Sequence, residues 1–537
     1  MGLVTATALT LLAGCAENGG SQDGTLSAGR AVYETYCASC HGPDGDGRGP
    51  AAYLLFPKPR NFQRAQFKLR STPPGELPTD DDLTRTIQQG IPGSSMFSFE
   101  ELLDETQVAQ VVTYLKSLSP RFAEATPLGT DQLLRVPSPP SPTPELLAAG
   151  KQAYAEFRCA MCHGPEGRGD GPSAATLRDS EGDPFPAADF TYGIYKSGGT
   201  PEALYATFLT GMEGTPMPSF AGAFKSDEQA WGLVYHVLSL APGGKAGSVR
   251  SDPGPLAVAT LTDSDALEDP WSPAWGAVPP HRVALRPLWY RNDYPPFVAV
   301  RAAHVGEDIA LLLEWRDDSH DAGTLRTEDF ADGVAVQFAL SDPPPFVGMG
   351  EAGPGGEVEV WYWRADRQAA SETGAPAALT AAYPDIAVDR YQNARAVTPG
   401  ARLYSAGEAP EDSEAPFVPA RDLGNPMADP ELSRRPVHTL AAAGFGTLTT
   451  RPADLMVASG GGGWQDGVYR VLFLAPIRPT DLALEADFEA GPVPMAVAIW
   501  NGSAGDRNGT KLVSQWHRLQ VPNDSPPPRS TQDTLEE

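Results

Sequence analysis

Cysteine is scarce in this chain of 537 residues: there are five, four of them inside two CxxCH runs, and Cys15 is left without a disulfide partner. A disulfide framework is therefore excluded. Basic residues are also few, with 40 Lys and Arg against 68 Asp and Glu and a formal charge of −28. A polyphosphate backbone finds no cationic face on such a chain, which excludes nucleic acid as a partner. Long apolar runs are missing too, since nothing after residue 15 approaches the roughly 20 residues that a membrane helix needs. What remains is 41% apolar and 20% charged, the composition of folded globular domains. A chain of this length predicts about three of them.

Residues 1–15 stand apart. The run Leu9-Thr10-Leu11-Leu12-Ala13-Gly14-Cys15 is short, apolar and closed by small residues, the pattern of an export segment rather than a span. Leu12-Ala13-Gly14-Cys15 resembles a bacterial lipoprotein cleavage box, although no Lys or Arg precedes it. That resemblance implies lipidation at Cys15 and attachment to a membrane surface through acyl chains worth about 0.8 kcal/mol per buried CH₂. The expected location is the periplasm or the outer face of the cell membrane; a plain cleaved signal is the alternative.

The next 230 or so residues are an internal repeat. Gly29 maps to Gly150, Tyr33 to Tyr154, Gly90 to Gly211, Met96 to Met217 and Tyr114 to Tyr235, all 121 apart, while the cysteines are 122 apart. Each copy opens with an amphipathic helix, continues through a Gly/Pro-rich middle and closes with a second helix. The closing stripes are Val108, Val111, Val112 and Leu115 in one copy and Trp231, Val234, Tyr235 and Leu238 in the other, with Pro120 and Pro242 as stops. The copies are expected at 24–122 and 145–242. Residues 123–144 form a Pro-rich linker that favours an extended, semi-rigid spacer, and 243–270 form a second, Gly/Ser/Asp/Pro-rich one.

Cys37-Ala38-Ser39-Cys40-His41 and Cys159-Ala160-Met161-Cys162-His163 carry the chemistry. Thiols spaced i and i+3 on one helical turn both reach the vinyl groups of a haem, and the adjacent histidine then ligates its iron. A lone CxxC would also suit a zinc half-site or a redox pair, but the trailing histidine and the duplication favour haem. Both copies also place a methionine in a Gly/Pro loop before the closing helix, Met96 and Met217, 55 and 54 residues after His41 and His163. Over about 29–119 and 150–241 this pattern resembles class I cytochrome c. The resemblance implies two small helical domains with two covalent haem c groups on Cys37/Cys40 and Cys159/Cys162, and with His41/Met96 and His163/Met217 as axial ligands. A thioether ligand raises the potential, so such haems carry electrons rather than activate oxygen. Met212 and Met161 are weaker rivals to Met217.

From Trp271 the runs become short and strand-like: Ile309–Trp315, Val334–Phe338, Val358–Trp363, Val468–Leu474 and Met495–Trp500. Turn clusters separate them, which predicts an all-β sandwich of about 250 residues. No acid/base dyad or metal cluster stands out. The segments 330–338, 346–350, 358–363, 444–448, 464–467 and 498–502 resemble the haem b-binding γ subunit of ethylbenzene dehydrogenase, over 271–520. That resemblance implies one non-covalent haem b bound by a Met and a Lys, with Met349 at the Met position. Lys511 is the sole lysine after it, and His438 is the alternative partner. Residues 521–537 are expected to be disordered.

The expectation is a multidomain electron-transfer subunit, two all-α cytochrome c domains followed by an all-β domain. It would relay electrons between a molybdopterin catalytic subunit with its iron–sulfur subunit and soluble or membrane carriers, and have no catalytic residues of its own. Two rivals remain: a dihaem peroxidase, which needs an open haem site, and a cytochrome fused to a carbohydrate-binding sandwich that displays Trp361 and Trp363.

Overall fold

A computed structural model describes residues 19–126, 128–241, 251–261, 269–291, 293–373, 432–481 and 484–521. The lipidation candidate Cys15, most of the second linker and the tail lie outside the described residues. The chain divides into two compact units, residues 1–91 with 98–246 and residues 92–97 with 247–537.

The first unit is helical and holds both repeats. The first copy contains α1 (Gly19–Tyr36), α2 (Ala38–His41), α3 (Asp80–Gln89) and α4 (Glu105–Ser117), followed by α5 (Pro120–Glu124). The second contains α6 (Pro144–Glu156), α7 (Ala160–His163), α8 (Pro201–Thr210) and α9 (Asp227–Ser239). The starts are written in the sequence: Thr79 with Asp82 and Asp104 with Gln107 form reciprocal capping boxes on α3 and α4. Thr143, Thr200 and Ser226 cap α6, α8 and α9.

In each copy the opening and closing helices cross where a glycine removes the side chain. A Cβ on Gly29 would lie 2.1 Å from the Gln110 carbonyl oxygen, and one on Gly150 only 1.8 Å from that of Gly232. Nothing but glycine fits either crossing. The stripe expected on α4 is wholly buried. On α9 the buried face is Trp231, Leu233, Val234 and Val237, so Tyr235 and Leu238 sit at its edge instead. Pro120 does not simply stop α4; it opens α5, where its missing N–H costs nothing.

The second unit is a two-sheet β structure. Its strands are β1 (Leu256–Ala257), β2 (Ala259–Thr260), β3 (His281–Ala284), β4 (Arg286–Pro287), β5 (Phe297–Val305), β6 (Asp308–Arg316), β7 (Gly333–Ala339), β8 (Val358–Arg364), β9 (Val437–Ala442), β10 (Thr449–Thr450), β11 (Ser459–Gln465), β12 (Val468–Pro476), β13 (Val493–Trp500), β14 (Leu512–Val513) and β15 (His517–Gln520). Among the described residues one sheet has nine strands, with the path β1-β15-β13-β7-β8-β9-β10, and the other six, with the path β11-β12-β6-β5-β2. The helix α10 (Ala365–Thr373) follows β8.

Alternation along β8 separates the two faces of the larger sheet. Trp361 and Trp363 point at the second sheet, where their rings lie 6.4 Å from Phe473 and 5.7 Å from Tyr469. Both tryptophans are 1% exposed. They are core residues, which removes the aromatic platform that a carbohydrate-binding sandwich would need.

Candidate haem centres

The two CxxCH turns are built alike. In each, the histidine N–H is accepted by the carbonyl of the first cysteine, at 2.9 Å for both His41 and His163, so the i, i+3 thiols share a helical turn. Tyr33 and Tyr154 lock that turn by donating to the Gly42 and Gly164 carbonyls, both at 2.7 Å. Each imidazole is then fixed from behind. His41 Nδ1 lies 2.9 Å from the Arg60 carbonyl and His163 Nδ1 3.0 Å from that of Ala188. A carbonyl there requires Nδ1 to carry the proton, which leaves the Nε2 lone pair for a metal. Phe62 and Phe190 stack on the two rings at 4.3 and 4.4 Å.

These backing residues were invisible to a search for ligands. A faint signal did exist, because Asn61-Phe62 and Asp189-Phe190 are like pairs 128 residues apart. The same hydrogen bond closes each loop, from Phe62 N to Gly45 O and from Phe190 N to Gly167 O, both 2.7 Å.

The second copy encloses a cavity of about 1170 Å³, its open mouth included. Cys159, Cys162 and His163 line one part of it, and Met212 and Met217 another, with Phe157, Leu204, Phe208 and Leu233 among the apolar walls. Its size and largely apolar lining suit a large apolar group. Met217 and its rival Met212 both reach the cavity, whereas Met161 is 45% exposed. Met96 occupies the equivalent loop in the first copy. Its N–H is accepted by Ser94 Oγ at 3.3 Å, as that of Met217 is by Thr215 Oγ1 at 3.2 Å.

Burial pushes the Cys159 thiol up to about 11 and the Cys37 and Cys40 thiols to about 12. Among the described residues no group of three or more His, Cys, Asp or Glu is placed to hold a metal ion. Two thiols on one helical turn, beside an imidazole fixed through Nδ1 and facing an apolar cavity, fit a thioether-linked haem.

In the second unit the outward face of the nine-stranded sheet is the candidate. Gln337 points outward, between the inward Val336 and Phe338, and its Nε2 donates to the Val347 carbonyl at 2.9 Å. The loop carrying Met349 is thereby held over this face. Met349 itself has φ +75°, a left-handed backbone that a methionine rarely adopts and that clusters at functional sites. Its carbonyl accepts from Gly444 N at 2.8 Å.

Lys511, just before β14, sends its Nζ to 4.7 Å from the ring of Trp500, which is also on the outward face. Burial lowers the Lys511 amine to about 8. An amine so depressed supplies a neutral lone pair at little cost. His438, also outward-facing on β9, is 1% exposed and its Nε2 is spent on the Leu432 carbonyl at 2.7 Å. Its Nδ1 is buried without a hydrogen-bond partner, and burial lowers its pKa to about 4. His438 thus keeps one free ring nitrogen, Nδ1, while the Nε2 that commonly binds iron is engaged; the Lys511 amine stands beside Trp500 with its proton weakly held.

Comparison with known proteins fits this division. The cytochrome c family model matches residues 26–119 and 147–241, and the ethylbenzene dehydrogenase model matches 272–512. The γ subunit of dimethylsulfide dehydrogenase from Rhodovulum sulfidophilum is 27% identical over 272 residues, covering 48% of this chain and 77% of that protein. A protein of Haloferax mediterranei described as a respiratory nitrate reductase haem subunit is 24% identical over 273 residues, covering 49% and 72%. A chain of the reducing HAO-like complex of Kuenenia stuttgartiensis is 45% identical, covering 40% of this chain and 96% of that one, at a TM-score of 0.38.

Proposed function

Two cytochrome c domains and a domain of ethylbenzene dehydrogenase type stand in one chain, and from this we propose an electron-transfer subunit whose substrate chemistry takes place in a partner subunit. The second-copy cavity carries the reading, because Cys159, Cys162, His163 and Met217 line one apolar space. Two covalent haem c groups are assigned, with His41/Met96 and His163/Met217 as axial ligands. When bound, each supplies a one-electron carrier. The chain's own residues orient the imidazole, present the thioether and exclude water.

A third group, haem b, is assigned to the outward sheet face, with Met349 and Lys511 as ligands. The strained Met349 backbone and the desolvated, depressed Lys511 amine support this. The partners are a molybdopterin catalytic subunit with an iron–sulfur subunit on one side and soluble or membrane carriers on the other. The γ-subunit and haem-subunit relatives support such an assembly. Among the described residues no helix is long and apolar enough to cross a membrane, and we assign the chain to the periplasm or the outer membrane face, anchored through Cys15.

Pyridine haemochrome quantitation of purified protein is the test. Two c and one b haem per chain are expected. Two c haems without b would remove the haem b site while leaving the relay. The peroxidase reading requires rapid peroxide turnover, which two six-coordinate haems do not give.

A further inference from the structure

Between the two haem modules of the first unit lies a set of cations that their own carboxylates do not use up. The acidic residues at this seam have nearer partners: Glu213 pairs with Arg70 at 3.2 Å, Glu181 with Arg64 at 2.6 Å, and Asp179 Oδ1 accepts from the Glu181 and Asp183 N–H groups, so that they act on Arg60 and Lys68 only from a distance. Arg60 and Lys68 remain. Arg60 runs from the first module against the Met212–Met217 loop of the second, so that a Cβ on Gly214 would meet its guanidinium at 2.4 Å. Its Nε is buried with no hydrogen-bond partner. Lys68 carries its ammonium to 5.2 Å from the ring of Phe185, which lines the second module's cavity beside Lys196.

The same residues also touch the first site. The Arg60 carbonyl fixes His41, and Lys68 acts electrostatically on that histidine. One cluster of positive charge thus borders both CxxCH sites. A haem brings two propionate carboxylates, and half-buried cations that no carboxylate pairs directly are the chemistry that receives them.

We propose that Lys68 and Arg60 of the first module form a carboxylate-binding site at the seam that takes haem propionate, so that the first module completes the haem site of the second. This rests on the assignment of two c haems above. A cation shared in this way favours the reduced, less positive form of both haems, and it makes the second haem's potential depend on a residue of the first module.

The test is Lys68→Met in the full chain, with both one-electron midpoints followed by protein-film voltammetry and the second haem's wave assigned with Met217→His. Both midpoints should fall, the second by a roughly tenfold shift toward the oxidised form, which is 59 mV for one electron. Lys68→Arg should restore them, and Arg60→Gln, which keeps the backbone carbonyl on His41, should lower them as Lys68→Met does. Unchanged midpoints in Lys68→Met, or a fall confined to the first haem, would overturn the cross-module site. Haemochrome quantitation on the same samples separates the two levels: a missing second c haem refutes the haem assignment itself, whereas two c haems with unmoved midpoints refute only this inference.

Discussion

Lys511 and His438 show how burial decides between two residues that look equally eligible in a sequence. Both face outward on the same sheet, but the imidazole nitrogen that usually binds iron is held by the Leu432 carbonyl, while the Lys511 amine is depressed toward neutrality. Lys511→Ala should convert the b haem from low-spin to high-spin or release it, read in the ferric spectrum. His438→Gln should leave that spectrum unchanged and act on stability instead. The pKa of His438 is about 4 when folded against 6.5 in the open chain, so between those values the unfolded state binds more protons. The contribution of His438 is therefore complete above pH 6.5 and is lost as pH falls toward 4, a total on the order of 3 kcal/mol at most. Melting followed by tryptophan fluorescence at pH 7 and pH 5 should show a drop that is smaller in His438→Gln. An equal drop in both proteins would mean that other groups carry it. Nothing in Pro436-Val437-His438 announces the Leu432 contact, because a stretch of chain outside the strand supplies it.

At the scale of helices, the sequence showed where α4 lies and how it faces, since Val108, Val111, Val112 and Leu115 recur at helical spacing. It marked Gly29 and Gly150 only as matching positions of the repeat. Their reason is the backbone of a helix distant in the chain, which no local pattern contains. Gly150→Ala must push α6 away from the Gly232 carbonyl, and overpacking of this kind costs about 1–3 kcal/mol. The expected result is a lower urea midpoint for loss of the methionine-to-iron band of the second haem, with the first unaffected. Gly29→Ala should reverse the pattern. Gly24→Ala, also on α1 but with open space around its Cβ, should be neutral or gain up to about 1 kcal/mol from helix propensity. If all three behave alike, close crossing is not what these glycines provide. Five strands of the β unit, β6, β7, β8, β12 and β13, were legible for the same reason as α4, because they alternate or run apolar, whereas β5, β9, the glycine-rich β11 and the shorter strands were not read.

Across the whole first unit, the Pro-rich segment reads in sequence as a spacer between independent modules, and its reach alone would allow them to move apart. The structure instead holds the modules together. Arg70, 5% exposed, leaves the first copy to meet Glu213 at 3.2 Å and the Thr210 carbonyl at 2.9 Å in the second. The linker is fastened as well, with Leu134 N donating to Ser71 O at 2.8 Å and Tyr235 Oη to Pro140 O at 2.5 Å. None of this could be read from a proline count, since proline limits the conformations of a linker without deciding whether its ends dock. If the two sites hold haem as proposed, electrons would pass between two fixed groups and would not wait for tethered modules to collide. Removing one partner of a buried ion pair leaves the other charge uncompensated, at about 3–5 kcal/mol. Arg70→Met should therefore loosen the docking while each module keeps its own core and haem. The measurable signs are faster proteolysis within 123–144, a larger radius of gyration in solution scattering, and slower electron exchange between the two c haems at unchanged haem content. Glu213→Gln should produce the same signs more weakly, because the Thr210 carbonyl still holds Arg70. A variant Arg70→Met with wild-type scattering and exchange would show that the linker and the remaining seam contacts hold the modules without it.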